Sequence, residues 1–243
     1  MKTVRLDNYL VSSKLVESRN KAQELIKSNF VLVDEKIINK PNYQLSDQSK
    51  IRIIKQEIYV SRAANKLKHA LDSFNINLKN KIVLDIGSST GGFTQVSLLN
   101  GASKVYAIDV GTNQMNLKLK TNTRVDLYEN TDFRNINLSL FNQKIDFICC
   151  DVSFISLSKI IDKLVDLIPY HYEGVFLIKP QYEIENIKIK NFKGIIREES
   201  TRKRIIEKLK QYFIKNKFEI INLIESPIRG KEGNIEYLIY VKK

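Results

Sequence analysis

Apolar positions change their period repeatedly along this chain, and each change marks a different kind of element. Between residues 5 and 15 they fall at helical spacing, with Leu6, Tyr9 and Leu10 on one side. Ala22, Leu25 and Ile26 repeat the pattern over residues 19–28, a segment that Ser18 can cap. Short β-like runs follow at 30–33, 36–38 and 51–54, broken by Pro41 and Asp47. A third helix is predicted over 61–74, where Ala64, Leu67, Ala70, Leu71 and Phe74 make an apolar face. Beyond it, strand-like runs at 81–86, 104–109, 124–128, 145–150, 174–179, 218–225 and 235–241 alternate with helical segments. Those segments lie near 93–100, 113–119, 134–141, 156–168 and 199–216.

The alternation predicts an α/β fold with a mostly parallel, doubly wound, seven-stranded sheet. Pro227 and the glycines at 230 and 233 leave no room for a helix before the last run, so the last strand must run antiparallel. Three parts are expected: a small α+β domain at 1–54, a linker at 55–60 and the large α/β domain at 61–243. No repeat or low-complexity tract interrupts them. No apolar run approaches the roughly 18 residues of a membrane span, and the first residues lack a signal-peptide apolar region, so a soluble, cytoplasmic protein is expected. Cys149 and Cys150 are adjacent on one predicted strand and would face opposite ways. They suit burial rather than a disulfide, and no metal site is expected. The net charge of +13 suits a polyanionic partner, although an abundance of Ile, Asn and Lys also marks a lysine-rich proteome.

The most informative chemistry sits in Ile82-Val-Leu-Asp-Ile-Gly-Ser-Ser-Thr-Gly-Gly-Phe-Thr94. An apolar run ends in Asp85, a loop carries Gly87, Ser89 and Gly91, and a helix opens at Phe93, which is the strand, turn and helix of a nucleotide-binding unit. A dinucleotide loop wants glycine where Ser89 stands. A carboxylate ahead of the first glycine repels phosphate and suits an ammonium group, which points to S-adenosylmethionine as cofactor. With the antiparallel last strand, this predicts a class I, Rossmann-like methyltransferase. Asp109, at the end of the second strand, can accept from a ribose diol or cap the segment after Gly111. Asp132 can accept from an adenine amino group or serve its own turn.

Three motifs at later strand ends face the acceptor side: Cys150-Asp-Val-Ser-Phe-Ile-Ser156, Ile178-Lys-Pro-Gln181 and Gly233-Asn-Ile-Glu-Tyr237. Pro180 keeps Lys179 extended at its strand tip. In the expected strand order Asp151, Lys179 and Glu236 converge, and Lys66 on the preceding helix completes the set. Two amines and two acids suit methylation of a ribose 2′-hydroxyl, a poor nucleophile whose proton must be accepted or whose lone pair must be oriented. Lys179 takes that central role here. Asp151 and Glu236 would position the lysines, and Lys66 would bias Lys179 toward its neutral form by like-charge repulsion. Taken singly, Lys66 reads as a solvated helix lysine, Asp151 as a cap and Glu236 as a cross-strand partner.

The first fifty residues resemble the αL, or S-four-type, RNA-binding motif, through Arg5-Leu-Asp, Ser18-Arg, Ala22 and Val31-Leu-Val. Asn29 replaces the usual glycine before the strand, and Asp34-Glu35 stands where Asn-Gly is usual. Arg5, Arg19, Lys21 and Lys27 are the candidate phosphate contacts. Tyr59-Val-Ser-Arg-Ala-Ala-Asn-Lys-Leu67, the glycine loop, Asp151-Val-Ser-Phe-Ile-Ser-Leu157, Lys179-Pro-Gln and Gly233-Asn-Ile-Glu-Tyr237 resemble the TlyA family in the same order. Tyr59 stands where some members have Trp, and Asn65 where a His can stand. The resemblance implies an FtsJ-like methyltransferase that uses S-adenosylmethionine to methylate the ribose 2′-OH of a cytidine in ribosomal RNA. Members act on the large subunit alone or on both, and the short termini resemble the first type. The implied partners are ribosomal RNA or ribosomal subunits, with no membrane. The long stretch 181–199 carries Lys188, Lys190, Lys193 and Arg197. With Arg202, Lys203 and Arg204 it is expected to form a basic rim over bound RNA. The rival readings are a cytolysin, from the haemolysin label the family carries, and a non-catalytic ribosomal RNA-binding assembly factor. No oligomeric state follows from the sequence.

Overall fold

The computed structural model describes residues 4–27, 30–46, 48–53, 59–184, 192, 194–230 and 232–243. The chain divides into two compact units, Met1–Ile58 and Tyr59–Lys243.

In the smaller unit, β1 (Val4–Arg5) leads into α1 (Leu6–Ser12), followed by α2 (Arg19–Lys27), β2 (Val31–Val33), β3 (Lys36–Ile37), β4 (Gln44–Leu45) and β5 (Ile51–Ile53). The i,i+4 pairs Leu6/Leu10 and Ala22/Ile26 bring the two helices together over Val31, Val33 and Leu45. The pairing of β1 with β4 is not readable from the pattern, because two-residue strands are too short to alternate. Between β2 and β3, Asp34 and Glu35 both take left-handed backbone, with φ of 51° and 61°. A two-residue hairpin needs positive φ at both positions, which explains why Asn-Gly is the usual choice there. Local bonds offset the cost: the Asp34 carboxylate accepts from Lys50 N–H at 2.8 Å, and Glu35 pairs with Arg52 at 2.5 Å. Asn29 lies outside the described residues.

The larger unit opens with α3 (Ala64–Ser73). There follow β6 (Ile82–Ile86), α4 (Gly92–Leu99), β7 (Lys104–Ile108), α5 (Leu117–Lys120) and β8 (Val125–Tyr128). The second half comprises β9 (Phe147–Cys150), α6 (Leu157–Leu167), β10 (Glu173–Ile178), α7 (Glu199–Lys215), β11 (Glu219–Glu225) and β12 (Tyr237–Lys242). The sheet order is β11-β12-β10-β9-β6-β7-β8, and β12 runs antiparallel to both of its neighbours. It is the seven-stranded, mostly parallel sheet that the sequence predicts. Strands buried on both faces read as apolar runs, and period-two alternation sends Cys149 and Cys150 into different helix layers. Both cysteines are buried and free.

Two predicted helices are corrected. The segment 113–119 holds only the single turn α5, capped by the Asn116 side chain on Lys118 N–H. The segment 134–141 is two 3-10 turns, Phe133–Asn135 and Leu138–Leu140, separated by extended backbone at Ile136 and Asn137. Phe133, Ile136 and Phe141 are buried at helical spacing, so the pattern reports burial without the backbone. No helix among the described residues is long and apolar enough to cross a membrane.

Candidate active site

The carboxyl ends of β6, β7, β9 and β10 border two adjoining cavities of 450 and 280 Å³, which share Gly87, Ser89, Asp151 and Ser153. The larger is further lined by Asp109, Val110, Asp132, Phe133 and Phe154, and the smaller by Ser61, Arg62, Ser88, Phe93 and Lys179. Gly87 has φ of 84°, and a Cβ there would stand 2.7 Å from the backbone oxygen of Asp151. The glycine therefore lets the loop after β6 lie directly on the loop after β9.

Asp109 lines the larger cavity while accepting from Ser89 N–H at 2.8 Å and Gly111 N–H at 2.7 Å. It ties the glycine loop to the next strand and also meets the next turn. Asp132 lines the same cavity, caps the first 3-10 turn through Arg134 N–H at 2.9 Å and pairs with the Arg134 guanidinium. The hydrogen bonds from Arg134 lower its pKa. Ser89 lines both cavities and takes left-handed backbone at φ 45°.

Two residues expected at the donor line neither cavity. Gly91, at φ 93°, faces Leu119 and Met115, which a Cβ would meet at 2.4 and 2.5 Å; it serves packing of the loop. Asp85 is fully buried, and its carboxylate accepts from Thr94 Oγ1 at 2.6 Å. Strand alternation is the reason: Leu84 and Ile86 share one face, and Asp85 joins Val83 on the other, beneath α4. Burial pushes the Asp85 carboxyl up to about 7, against the Thr94 hydrogen bond and with a further push from Asp151. A folded pKa above the unfolded value means that the folded chain binds more protons over the interval between them. Stability is therefore lost as pH rises from about 4 through 7. Asp85→Asn should gain on the wild type in melting temperature by roughly 5–10 °C between pH 5 and pH 9, from a few kcal/mol. A pH-independent difference in thermal melts would contradict this.

The four residues predicted for the acceptor side do converge. Lys179, just past β10, pairs with Asp151 Oδ1 at 2.6 Å and donates to Ser153 Oγ at 2.7 Å. Lys66, on the first turn of α3, donates to Glu236 Oε2 at 2.6 Å and lies 3.8 Å from Asp151 Oδ2. All except Asp151 are buried, and the Asp151 side chain is 13% exposed. Asp151 thus stands between the two amines, with one carboxylate oxygen toward each.

Several neighbours escaped sequence reasoning. Ser153 holds Lys179. Glu183 accepts from Ser156 Oγ at 2.5 Å and Leu157 N–H at 2.7 Å, joining the loop after β10 to the loop after β9. The buried hydroxyls of Ser61 and Ser88 have no hydrogen-bond partner and border the smaller cavity. Phe154 is 88% exposed at φ 63°, an unfavourable backbone for a bulky residue, and its ring lies 5.1 Å from that of Tyr182. Ser61, Ser153 and Phe154 sit inside the motifs quoted above, so position was the available signal.

Of the expected basic rim, Lys188, Lys190 and Lys193 lie outside the described residues. Arg197 is exposed. Arg202 is a correction: it is buried, donating to the carbonyls of Ile196 and Arg197 and to Tyr237 Oη. It braces the loop from below rather than facing outward. In the smaller unit Arg5 and Arg19 are partly exposed and both bind Asp7, Lys21 is half-buried and Lys27 is exposed. Among the described residues no group of three or more His, Cys, Asp or Glu side chains is placed to hold a metal ion.

Residues 59–243 match the FtsJ-like methyltransferase family, and residues 4–51 match the S4 domain. The chain is 41% identical to "Hemolysin A" of Brachyspira hyodysenteriae, over 98% of this chain and 99% of that protein. It is 39% identical to the 23S rRNA (cytidine-2'-O)-methyltransferase TlyA of Campylobacter jejuni subsp. jejuni serotype O:23/36, over 97% of this chain and 98% of that protein. A protein of Streptococcus thermophilus, solved under a hemolysin name, superposes with a TM-score of 0.73 at 36% identity, covering 100% of this chain and 89% of that one.

Proposed function

The chain belongs to the FtsJ-like methyltransferase family, and from that premise we propose that it transfers a methyl group from S-adenosylmethionine to the ribose 2′-OH of a cytidine in ribosomal RNA. The observation that carries the reading is the run Glu236–Lys66–Asp151–Lys179, with spacings of 2.6, 3.8 and 2.6 Å, opening on a cavity at the glycine loop. S-adenosylmethionine, when bound, supplies a methyl carbon activated by a sulfonium.

The residues present fit that donor. Asp109 suits the ribose diol, and Val110, Asp132 and Phe133, which line the same cavity, suit the adenine. The unpartnered hydroxyls of Ser61 and Ser88, beside Gly92 and Phe93 at the start of α4, suit the carboxylate of the methionine moiety. Asp85 acts through the loop it anchors. Lys179 would orient the 2′-oxygen and, once its own proton has passed to Asp151, accept the proton that oxygen gives up. Asp151 and Ser153 fix that amine in place. Lys66, held by Glu236, fixes Asp151 from its other side. The exposed ring of Phe154, backed by Tyr182, suits an unpaired base. The S4 domain supplies the RNA grip, and a ribosomal substrate places the protein in the cytoplasm.

Hemolysin names among the similar proteins are what favours a lytic activity, and no residue constellation among the described residues gives it a mechanism. The non-catalytic alternative is disfavoured by the complete set of four side chains. Purified protein given methyl-labelled S-adenosylmethionine and large ribosomal subunits or their RNA should place label on a cytidine 2′-oxygen. Label on a base, or none on any ribosomal RNA, would overturn the reading.

A further inference from the structure

The smaller unit carries a carboxylate with an unusual number of donors. Asp7, at the start of α1, is fully buried. Its Oδ1 accepts from Arg5 Nε at 3.0 Å and Asn8 N–H at 3.0 Å. Its Oδ2 accepts from Arg5 Nη2 at 2.9 Å, Arg19 Nε at 3.1 Å and Gln23 Nε2 at 3.2 Å. The Arg5 and Arg19 side chains covering it are 39% and 55% exposed. Arg5 presents its fork edge to the acid, whereas Arg19 spends only Nε. Among the described residues, Nη1 of Arg5 and both terminal nitrogens of Arg19 meet no acceptor, and the two guanidiniums outnumber the one carboxylate they share. A buried acid with this many donors does more than neutralise charge: it removes the rotational freedom of two long side chains.

We propose that Asp7 is a positioning residue that aligns Arg5 and Arg19 as a preformed two-guanidinium clamp for one RNA phosphate. The proposal rests on reading the smaller unit as the RNA grip. It requires the sequence separation seen here, because Arg5 precedes α1 while Arg19 opens α2 and only a shared acceptor fixes their mutual orientation. Phosphate is the fitting ligand: a guanidinium edge matches two of its oxygens, and a single phosphate accepts from both side chains.

Charge counting and positioning predict opposite signs, which makes the test decisive. Asp7→Asn raises the net charge of the full chain from +13 to +14, so unspecific attraction predicts equal or tighter binding. Positioning predicts weaker binding. The measurement is affinity of the full chain for purified large-subunit ribosomal RNA across a salt titration. S-adenosylmethionine affinity and circular dichroism serve as controls. Asp7→Asn should weaken binding roughly tenfold and flatten the slope of log K against log salt by about one phosphate. Arg5→Lys and Arg19→Lys keep the charge but lose the fork, and each should weaken binding similarly.

Wild-type or tighter binding by folded Asp7→Asn would overturn the proposal. Should Asp7→Asn unfold the unit, the two lysine variants decide: wild-type affinity in both overturns it. If the double variant Arg5→Ala, Arg19→Ala binds RNA normally, the RNA reading of the unit itself fails. That outcome is distinguishable from arginines that matter without needing Asp7.

Discussion

Lys179→Ala should lower methyl transfer to ribosomal RNA by at least 10³-fold while leaving the affinity for S-adenosylmethionine within about threefold. The separation follows from position. Lys179 borders the smaller cavity, and its amine is committed to Asp151 and Ser153, whereas the larger cavity, with Asp109 and Asp132, does not include it. Removing the amine leaves the lining of the larger cavity intact and strips the proposed acceptor side of its proposed base. The truncation also leaves Asp151 with only Lys66, at 3.8 Å, so Lys179→Met is the companion variant, keeping volume while removing charge. Both should be inactive, and both should bind donor in calorimetry. Turnover above a few per cent in either variant would remove Lys179 from the chemistry. Lysis of erythrocytes by purified Lys179→Ala protein would further show that any lytic activity is independent of this site.

Most of that site was legible because topology, more than side-chain detail, brings it together. Lys66 and Glu236 are 170 positions apart, yet a sheet with β12 beside β10 and β10 beside β9 must gather the ends of those strands. Apolar runs alternating with amphipathic segments, and a last strand with no helix before it, point to the class I methyltransferase arrangement, and that arrangement supplies the strand order that makes the convergence readable. Direction within a strand was readable too, and was missed. Asp85 shares parity with Val83, which puts it under α4, even though it stands inside a glycine motif. The turns around Phe133 and Leu138 could not be read, since an apolar residue every third or fourth position satisfies a 3-10 turn as well as an α-helix. Nor could Ser61 and Ser88. A serine in a motif looks alike whether its hydroxyl is satisfied or waiting for a ligand, and only the packed surroundings tell the two apart. The same holds for Asp7, whose five donors come from residues 5, 8, 19 and 23.

Gly87→Ala should damage both halves of the site at once, and here two costs have to be separated. The first is conformational: φ of 84° is left-handed, costing alanine about 1 kcal/mol. The second is steric, because the new methyl would lie 2.7 Å from Asp151 O and 3.0 Å from Asp151 C. Those are backbone atoms, which cannot swing aside as a side-chain end does. Either the glycine loop lifts, disturbing Ser89 and its bond to Asp109, or the loop after β9 retreats and carries Asp151 and Ser153 away from Lys179. Gly233 supplies the control. Its φ is 94°, but a Cβ there meets nothing within 4 Å, so Gly233→Ala bears the conformational cost alone. Gly87→Ala should therefore lose roughly 2–4 kcal/mol of stability, against about 1 kcal/mol for Gly233→Ala. Its S-adenosylmethionine affinity should fall tenfold or more, and transfer further still. Equal melting temperatures and equal donor affinities in the two variants would mean that the close approach of these loops contributes nothing. The contact between the donor loop and the residue that holds Lys179 would then be incidental to function.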